Sequence, residues 1–461
     1  MTSRASLLHF LLPAVASVGV VLAQQPAPPP GGNQTAPSQQ PSSLALTLTG
    51  EGGTAPRLAV PDFLALSADK ETQQIARTIA EVLWADLQYE REFTMIPRDT
   101  YRTIPVAPAI GAPPFDRWRE LGVDGLVMGA VSKTGDTVRV EMRLYLIASQ
   151  QQIYAREYTG SAANPRLYAH TISDEIHQSQ RNLRGVARTK LAFVSDRNRE
   201  RVVGTVENRE VKEVYMSDYD GANQRRITVG RQLNVSPTWS PDARAIAYTS
   251  WRTGFPDIFI SRIYEGTMSN PAKGTSQAHN SLPMFSPDGT RLSFSSNRDG
   301  NNEIYVMNVD GTGLRRITNH PAIDTTPTWS PTGTELAFTS DRGGSPSIYI
   351  VGVDGLGLRR VTFENSDRAT WSPAPRNEIA YTARTGPGYD IKVLNLATNE
   401  TRQLTFGEGT NEAPAWAPNG RHLAFWSTRA GLAQIFTVDY DGQNIRQLTR
   451  DGNNQQPHWS Q

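Results

Sequence analysis

Residues 285–318 read FSPDGTRLSFSSNRDGNNEIYVMNVDGTGLRRIT and contain one complete structural unit. After the aromatic residue come three apolar segments, Arg291–Ser295, Glu303–Met307 and Leu314–Thr318. Their large apolar residues alternate with polar ones, as in a sheet that packs on neighbouring sheets. Asp288-Gly289 lies between Phe285 and the first segment, and Asp310-Gly311 lies between the second and third segments. Asp-Gly favours the positive φ angles of a type I′ hairpin turn. With a strand that ends at Phe285, the unit is predicted to be a four-stranded antiparallel meander.

The same unit recurs along the second half of the chain. Its leading aromatic residue, followed by small residues and Pro in most copies, stands at Trp239, Phe285, Trp329, Trp371, Trp416 and Trp459. The intervals between these residues are 46, 44, 42, 45 and 43. A period near 44 residues with four strands in each copy is typical of a β-propeller blade. The sequence therefore predicts a six-bladed β-propeller over residues 189–461.

The two ends of the repeat array complement each other. Leu191–Val194 resembles a second strand that lacks its first, and Pro457–Trp459 resembles a first strand that lacks its second. Pairing these two segments would complete one blade and remove the sheet edges that an open array exposes. The propeller is therefore predicted to be closed by pairing of the C-terminal strand with the first blade.

A small α/β domain is predicted ahead of the propeller, over residues 57–185. Apolar residues recur every four positions between Asp69 and Glu90, which predicts an amphipathic helix there. Strands are expected at 57–63, 93–96 and 125–132 and in two segments that end near 159. Two further helices are expected at 115–121 and 165–183. The fold class is therefore α+β multi-domain, with a small N-terminal α/β domain followed by the propeller.

Three polar residues share one face of the last helix of this domain. His170, Asp174 and His177 are spaced i, i+4 and i+7, so their side chains lie on the same side of a helix. One interpretation is a metal site, which would need further ligands from elsewhere in the chain. The favoured interpretation is a hydrogen-bonded packing face, because no such ligands are evident in the sequence.

The N-terminal region carries the signals of export. Residues 1–23 have a basic start, an apolar run and a small-residue cleavage pattern, so we expect a signal peptide that is removed. Residues 24–43 are rich in Pro and Gln and are expected to be a disordered linker. Residues 44–56 begin with alternating apolar and polar residues, so this segment could add to the edge of a sheet.

Composition excludes several classes of function. The chain has 461 residues, no Cys and a formal net charge of +1. Without Cys there is no disulfide framework, thiolate nucleophile or Cys-ligated zinc. The balanced charge provides no global field for nucleic acid or for an anionic membrane. We therefore expect binding to depend on a localised site.

In a meander the connections lie on alternate rims of the propeller. The Asp-Gly turns share one rim, whereas the loops after the second and fourth strands lie on the other and are longer, as at 197–210, 266–281 and 319–326. Binding residues on a propeller are expected where loops cluster on a rigid scaffold. The loop rim and the mouth of the channel are therefore the predicted site.

An Arg recurs near the end of each second strand on this rim. The six residues are Arg197, Arg252, Arg298, Arg342, Arg384 and Arg429. They could form an anion-binding ring, with Arg252, Arg298 and Arg342 as possible rim contacts. The favoured interpretation is that each Arg pairs with a carboxylate of its own or an adjacent blade, because repetition in every blade indicates architecture.

The combination of motifs resembles the TolB family over nearly the whole chain from Leu44 onward. The propeller repeat alone also resembles the non-catalytic domains of prolyl-oligopeptidase relatives. The residues that point to TolB, beside the signal peptide and domain order, are His170-Thr-x-Ser-Asp174-Glu, Ser217-Asp-Tyr-Asp-Gly-x-Asn223 and His279-Asn-x-x-Pro283-x-Phe285-Ser-Pro-Asp-Gly289. The resemblance implies a non-enzymatic, periplasmic scaffold of the Tol-Pal envelope system. Such a scaffold supports outer-membrane integrity and cell division.

The resemblance also implies two partners. The lipoprotein Pal is expected at the propeller mouth, where the matching residues are His279, Asn280, Leu282 and Thr325. TolA is expected on the segment after the signal peptide, at Leu44, Leu46, Leu48 and Gly50. We expect no cofactor, no metal and no nucleic acid, a monomeric chain, and membrane association only through partners. Apart from the resemblance, His279 lies in a loop and can present its ring to a partner, or it can simply cap a turn.

Two other classes of function remain alternatives. A propeller of this kind can accompany a prolyl-oligopeptidase-like hydrolase, but that enzyme needs a G-x-S-x-G motif and a catalytic domain. Gly343-Gly-Ser-Pro-Ser347 lacks the last Gly, and we expect no catalytic domain after the propeller. A calcium- or sugar-binding propeller is suggested by Asp residues near Gly, at 218, 220, 310 and 441, although turn conformation alone explains them.

Overall fold

The computed structural model describes residues 47–50, 53–201, 211–272 and 278–461. The predicted signal peptide, the linker at 24–43, and Leu44 and Leu46 lie outside the described residues. None of the described helices is long and apolar enough to cross a membrane.

The N-terminal domain is a mixed sheet with helices on its faces. Its elements are β1 (Arg57–Ala59), β2 (Leu64–Ala65), α1 (Lys70–Tyr89), β3 (Thr94–Met95), a 3-10 helix (Arg98–Thr103), α2 (Phe115–Glu120), β4 (Gly125–Thr134), β5 (Thr137–Leu146), β6 (Gln151–Ser161) and α3 (Pro165–Arg181). The strand order is β3-β1-β4-β5-β6, with β2 also paired to β4. β1 is parallel to β3 and β4, whereas β4, β5 and β6 are antiparallel.

Helix α1 forms where the apolar period predicts it. The Asp69 side chain caps its first turn by accepting a hydrogen bond from the Thr72 amide, at 2.8 Å, which satisfies an otherwise unpaired N–H group. Ile79 and Leu83 are fully buried and pack with residues of α3 and the sheet in one core.

The propeller consists of six four-stranded antiparallel sheets, which we number by chain order. Blade 1 contains Lys190–Ser195, Glu213–Asp218, Arg225–Arg226 and, as its first strand, Asn454–Trp459. The others are blade 2 (Asn234–Trp239, Ala245–Ser250, Asp257–Arg262, Thr267–Ser269), blade 3 (Asn280–Phe285, Arg291–Ser296, Glu303–Asn308, Arg315–Arg316), blade 4 (Asp324–Trp329, Glu335–Ser340, Ser347–Gly352, Arg359–Arg360), blade 5 (Ser366–Trp371, Glu378–Thr385, Gly388–Asn395, Thr401–Gln403) and blade 6 (Asn411–Trp416, His422–Ser427, Gln434–Asp439, Arg446–Gln447).

The predicted closure of the ring is confirmed. The C-terminal strand pairs antiparallel with the first strand of the array, placing Trp459 opposite Leu191. The Ser460 amide donates to the Lys190 carbonyl at 2.8 Å, and the Trp459 indole N–H donates to the Thr189 hydroxyl at 2.7 Å. Because Trp459 is 2% exposed, closure adds apolar burial to the backbone ladder.

The Asp-Gly turns differ from the predicted type I′ geometry. Gly289 has a φ of 71°, whereas the φ angle of Asp288 is not positive. The Gly289 amide donates to the Ser286 carbonyl at 2.9 Å, and the Asp288 carboxylate accepts from the Thr290 amide at 3.0 Å. The Asp side chain therefore holds a turn in which only Gly is left-handed.

The stretch predicted as a long loop at 266–281 also needs correction. It contains the fourth strand of blade 2, Thr267–Ser269, which pairs with Ile260–Arg262, and the start of the first strand of blade 3. The loop between them is shorter than the sequence suggested, and residues 273–277 within it are outside the described chain.

The N-terminal domain contacts blades 1 and 6, the two blades nearest the closure. Glu90, at the end of α1, accepts hydrogen bonds from Asn419 and His422 of blade 6. Asp86, one turn earlier, accepts a hydrogen bond from the Tyr219 hydroxyl of blade 1 at 2.8 Å. Asn419 and Tyr219 lie in connections between first and second or third and fourth strands. The N-terminal domain therefore occupies the turn rim, opposite the loop rim.

Candidate functional site

A ring of left-handed residues surrounds the channel on the inner strands. In each first strand the register shifts at a β-bulge, and one residue of the bulge has positive φ. The six residues and their φ angles are Ser236 (53°), Leu282 (58°), Thr326 (50°), Arg368 (52°), Ala413 (53°) and Gln456 (53°). All six line one cavity of about 90 Å³ to which every blade contributes. The bulges therefore turn one side chain from each blade toward the channel.

The ring is chemically uneven although its backbone repeats. Leu282 presents an apolar side chain, and its amide is held by the Thr249 hydroxyl at 2.9 Å. Asp367 accepts hydrogen bonds from the hydroxyls of Thr326 at 3.2 Å and Thr339 at 2.8 Å. Burial raises the pKa of Glu412, beside Arg368 and Asp367. The mouth therefore has an apolar side at blade 3 and a charged side at blades 5 and 6.

His279 directly precedes the inner strand that carries Leu282, and its side chain is exposed. Its amide donates to the Asn297 side-chain oxygen at 2.8 Å, and its carbonyl accepts from the Asn297 amide at 3.3 Å. The backbone of His279 is thus fixed on both sides. Among the described residues no hydrogen bond to its imidazole is present, so the ring can face a partner.

Two residues expected on the partner-facing surface, Asn280 and Thr325, are not members of the ring. Asn280 is 1% exposed, and its side chain bonds Asp257, Ser296 and Arg298. Its position as the first residue of an inner strand explains this burial. Thr325 is half-buried and pairs with Thr339 in the sheet. The next residue, Thr326, takes the ring position equivalent to Leu282.

Four of the recurring arginines form one repeated contact, which we call the arginine clamp. In blade 3, Arg298 Nε donates to Ser296 Oγ at 3.0 Å and Nη2 donates to Asn280 Oδ1 at 2.8 Å. Its guanidinium carbon lies 4.8 Å from the Tyr305 ring centroid. The same clamp holds Arg197 to Ser195 and Asn454, Arg342 to Ser340 and Asp324, and Arg429 to Ser427 and Asn411.

The arginine clamp joins strands within a blade and does not form an anion-binding ring. The first-strand partner is an Asn amide oxygen in three blades and a carboxylate in blade 4, where Arg342 meets Asp324 at 2.6 Å. Arg429 also pairs with a carboxylate, Glu408 at 3.1 Å, so the predicted pairing with carboxylates holds in these two clamps. Arg384 is out of register, because Ala383 takes the place of the clamp Ser opposite Ser366. Arg252 has the matching sequence position, but its side chain is exposed and contacts the Met268 sulfur.

The described part of the proposed TolA-facing segment is docked on the N-terminal domain. Leu48 is fully buried and belongs to the same core as α1 and α3. Its amide donates to the Gln180 side chain at 2.9 Å, and its carbonyl accepts from Arg181 at 2.9 Å. Gly50 is half-buried. A side chain at Gly125 would collide with Leu48, so the close approach of these residues requires Gly there.

The three polar residues on α3 have separate structural roles. His170 Nδ1 lies 2.7 Å from Asp86 Oδ2, and His177 Nδ1 donates to the Ser173 carbonyl at 2.9 Å. Asp174 accepts from the Ala187 amide at 2.9 Å and from Arg188. This arrangement is the hydrogen-bonded packing face favoured by the sequence. In the described residues no group of three His, Cys, Asp or Glu could hold a metal ion.

Burial and ion pairing set the pKa values of this interface. Burial would lower the pKa of His170, but the nearby carboxylates of Asp218, at 3.6 Å, and Asp86, hydrogen-bonded at 2.7 Å, outweigh it and raise the pKa from 6.5 to about 9. Burial likewise opposes protonation of His422, and its bonds to Asp439 and Glu90 raise its pKa. Each imidazole thus lies between carboxylates of the two domains, an arrangement that favours its protonated form.

Five members of the ring were not predicted from the sequence: Ser236, Thr326, Arg368, Ala413 and Gln456. A signal was present, because most of these residues directly precede the Pro that stands two residues before the aromatic residue. A Pro disfavours the right-handed helical conformation of the residue before it. In these bulges that residue adopts the left-handed conformation. Sequence alone does not indicate that this residue becomes left-handed.

Comparison with protein families matches both domains. The family described as TolB beta propeller domain matches residues 180–461, and the family described as TolB amino-terminal domain matches residues 44–153. The chain is also similar to a Tol-Pal system protein TolB from Desulfosudis oleivorans, with 32% identity over 57% of this chain and 57% of that protein.

Two further similarities agree with these matches. A Tol-Pal system protein TolB from Anaeromyxobacter dehalogenans is 32% identical over 58% of this chain and 60% of its own length. The alignments thus span less than two thirds of these curated relatives. A crystal structure of TolB from Acinetobacter baumannii superimposes with a TM-score of 0.72 and 26% identity, covering 88% of this chain and 97% of that chain. The chain belongs to the TolB family.

Proposed function

We propose that this chain is a non-enzymatic, periplasmic scaffold of a Tol-Pal system that binds the lipoprotein Pal at the propeller mouth. The single observation that carries the proposal is the ring of six left-handed residues on the inner strands of the propeller. The curated relatives of this chain are named for the Tol-Pal system. The N-terminal domain occupies the opposite rim. The loop rim is therefore accessible to a folded partner.

The chemistry of the mouth supports a protein ligand. The backbone of His279 is already held by Asn297. Fixing this backbone in a complex therefore costs little further conformational entropy. Leu282 offers an apolar contact beside it, and Thr326 and Asp367 offer polar contacts across the channel. An apolar contact surrounded by fixed polar groups is typical of protein interfaces.

We also propose that residues 44–56 engage TolA. Leu48 supports this as a small apolar anchor that is held by one hydrogen bond to Gln180 and one to Arg181. Such a segment can leave its docked position at a moderate cost in free energy and pair with the edge of a partner's sheet. Binding of this segment to TolA would then compete with its docking on the N-terminal domain.

The proposal is tested by recovering partners from an envelope extract of the source organism with immobilised protein. Wild type should enrich a peptidoglycan-binding lipoprotein, and His279→Ala should lose about 2 kcal/mol of binding if the imidazole is a central contact. His320→Ala is the matched control, because His320 is exposed on the adjacent loop of the same rim. Failure of wild type to retain such a lipoprotein would exclude Pal binding, and equal recovery by His279→Ala would remove His279 from the site.

A further inference from the structure

Blade 2 contains every part of an arginine clamp except the guanidinium itself. Ser250 stands two residues before Arg252, as Ser296 stands before Arg298, and Asn234 occupies the first-strand position of Asn280. The aromatic pair is present as well, with Tyr248 and Phe259 stacked at 6.3 Å between ring centroids. Asn234 Nδ2 donates to Glu213 at 2.8 Å, which orients the amide as in the closed clamps.

Arg252 does not enter this clamp. Its side chain is exposed, whereas the clamp residue Arg298 is half-buried. Within the described chain, its guanidinium makes one contact, with the Met268 sulfur at 3.5 Å. No carboxylate lies within 4.0 Å of it, and no aromatic ring lies beneath it in the residues that the structure describes. Arg252 is therefore the one member of the Ser-x-Arg series that is not held in a clamp within the described residues.

The space left beside Arg252 is an open groove between blades 1 and 2. Its volume is about 470 Å³, and its lining includes Asn234, Tyr248 and Ser250 of the empty clamp. Arg225 and Arg226 of blade 1 form the facing wall. Arg226 is neutralised by Glu200 and Glu213, at 3.0 and 2.7 Å. Arg225 is exposed and donates to the Met216 sulfur at 3.1 Å.

The groove therefore carries two positive charges that sulfur atoms contact and that the described carboxylates do not balance. A thioether is a weak acceptor that a carboxylate readily replaces. Arginine presents two parallel N–H donors that match the two oxygens of a carboxylate. Burial of such a pair in a groove strengthens it relative to an exposed ion pair.

We propose that Arg252 and Arg225 form a docking site for an acidic side chain of the same protein partner that binds the propeller mouth. The inference rests on the proposed function and extends its interface from the channel to the groove of blades 1 and 2. The occupant is an Asp or Glu of the protein partner, because Arg252 follows a second strand and so lies on the loop rim that the partner contacts, and a carboxylate matches the charge of the two arginines. Neutral groups of the empty clamp, Asn234 and Ser250, can bond the peptide that carries it.

The experiment measures the dissociation constant of purified Pal for the full chain by calorimetry, at 50 and 300 mM NaCl. Arg252→Ala should weaken binding about 5- to 10-fold at low salt, and the difference should shrink at high salt because the lost contact is ionic. Arg252→Lys should recover part of the affinity. Arg429→Ala is the matched control, since it removes a clamp in blade 6, outside the groove of blades 1 and 2, and should leave the affinity within about twofold.

Three outcomes separate the possibilities. Equal binding by wild type and Arg252→Ala at low salt would overturn the inference and leave the proposed function intact. Tighter binding by Arg252→Ala would also overturn it, because a partner cation would then occupy the empty clamp. Absence of binding by wild type would overturn the proposed function and the inference together.

Discussion

The imidazole Nε2 of His422, in blade 6, lies 3.1 Å from the carboxylate of Glu90, at the end of α1. The other ring nitrogen lies 2.9 Å from Asp439. His170 makes an equivalent bridge at blade 1, between Asp86 and Asp218. Each histidine thus links the N-terminal domain to one of the two blades that close the ring.

These bridges predict a loss of stability at alkaline pH. A histidine whose pKa rises on folding stabilises the native state fully below its unfolded pKa of about 6.5, and loses that effect as pH rises through the folded value. For His170 the window is 6.5 to about 9. A shift of this size corresponds to about 3 kcal/mol. The melting temperature should therefore fall between pH 6.5 and 9.5, measured by calorimetry.

The His170→Gln variant provides the control for this pH dependence. It should melt at a lower temperature than wild type at pH 6.5, and the two proteins should converge at pH 9.5. Parallel melting curves over the whole range would contradict the assignment of the titration to His170.

His458 gives the stability a pH dependence of the opposite sign, because burial lowers the pKa of its imidazole to about 4. Its contribution to stability is therefore lost as pH falls from 6.5 toward 4.

The arginine clamp predicts unequal effects of two similar substitutions. Arg298→Ala removes two hydrogen bonds and a cation–π contact, and should lower the free energy of unfolding by about 1–3 kcal/mol. Arg252→Ala removes only a contact with Met268 and should change it by less than about 0.5 kcal/mol. Urea denaturation measures both. Equal losses would show that Arg252 contributes to its blade as Arg298 does.

Ring closure predicts cooperative destabilisation by a short truncation. Deletion of residues 455–461 removes most of the strand that pairs with Lys190–Ser195 and exposes an edge of blade 1. The melting temperature should drop, and the transition should broaden. Trp459→Ala keeps the strand but removes a buried ring, with an expected cost of about 3–5 kcal/mol. An unchanged melting transition in the truncated chain would contradict the role of the closure.

The docked position of Leu48 predicts that its release can be promoted without changing the segment itself. Gln180→Ala removes the acceptor of the Leu48 amide, at 2.9 Å. Amide exchange at Leu48 should then accelerate about 5- to 13-fold, since a lost hydrogen bond costs about 1–1.5 kcal/mol. If the segment engages TolA, the same variant should bind TolA more tightly. Unchanged exchange at Leu48 would show that Gln180 does not hold the segment.

Much of this fold follows from patterns that the sequence makes explicit. The spacing of Trp239, Phe285 and their equivalents predicts six blades, and the complementary ends at Leu191 and Trp459 predict the closure. Helix α1 lies within one residue of the predicted bounds, because apolar period and cap agree. Repetition of whole units makes such predictions strong, since each copy repeats the same signal.

The candidate site was less predictable because it depends on register. A bulge moves the channel-facing position to Thr326, one residue beyond Thr325, and a longer hairpin in blade 5 displaces Arg384 from the clamp. The burial of Asn280 depends on Asp257 of the preceding blade. Such contacts between neighbouring blades join residues far apart in the sequence, so they were not evident from any single motif.

The most direct test of the central claim is the hydrogen–deuterium exchange footprint of purified Pal on the full chain. Protection should appear on the loop rim, at residues 278–284 and 324–327, and the turn around Asp288-Gly289 should exchange as in the free protein. Protection confined to the turn rim or to the N-terminal domain would contradict the account, as would a complex with no protection around the channel.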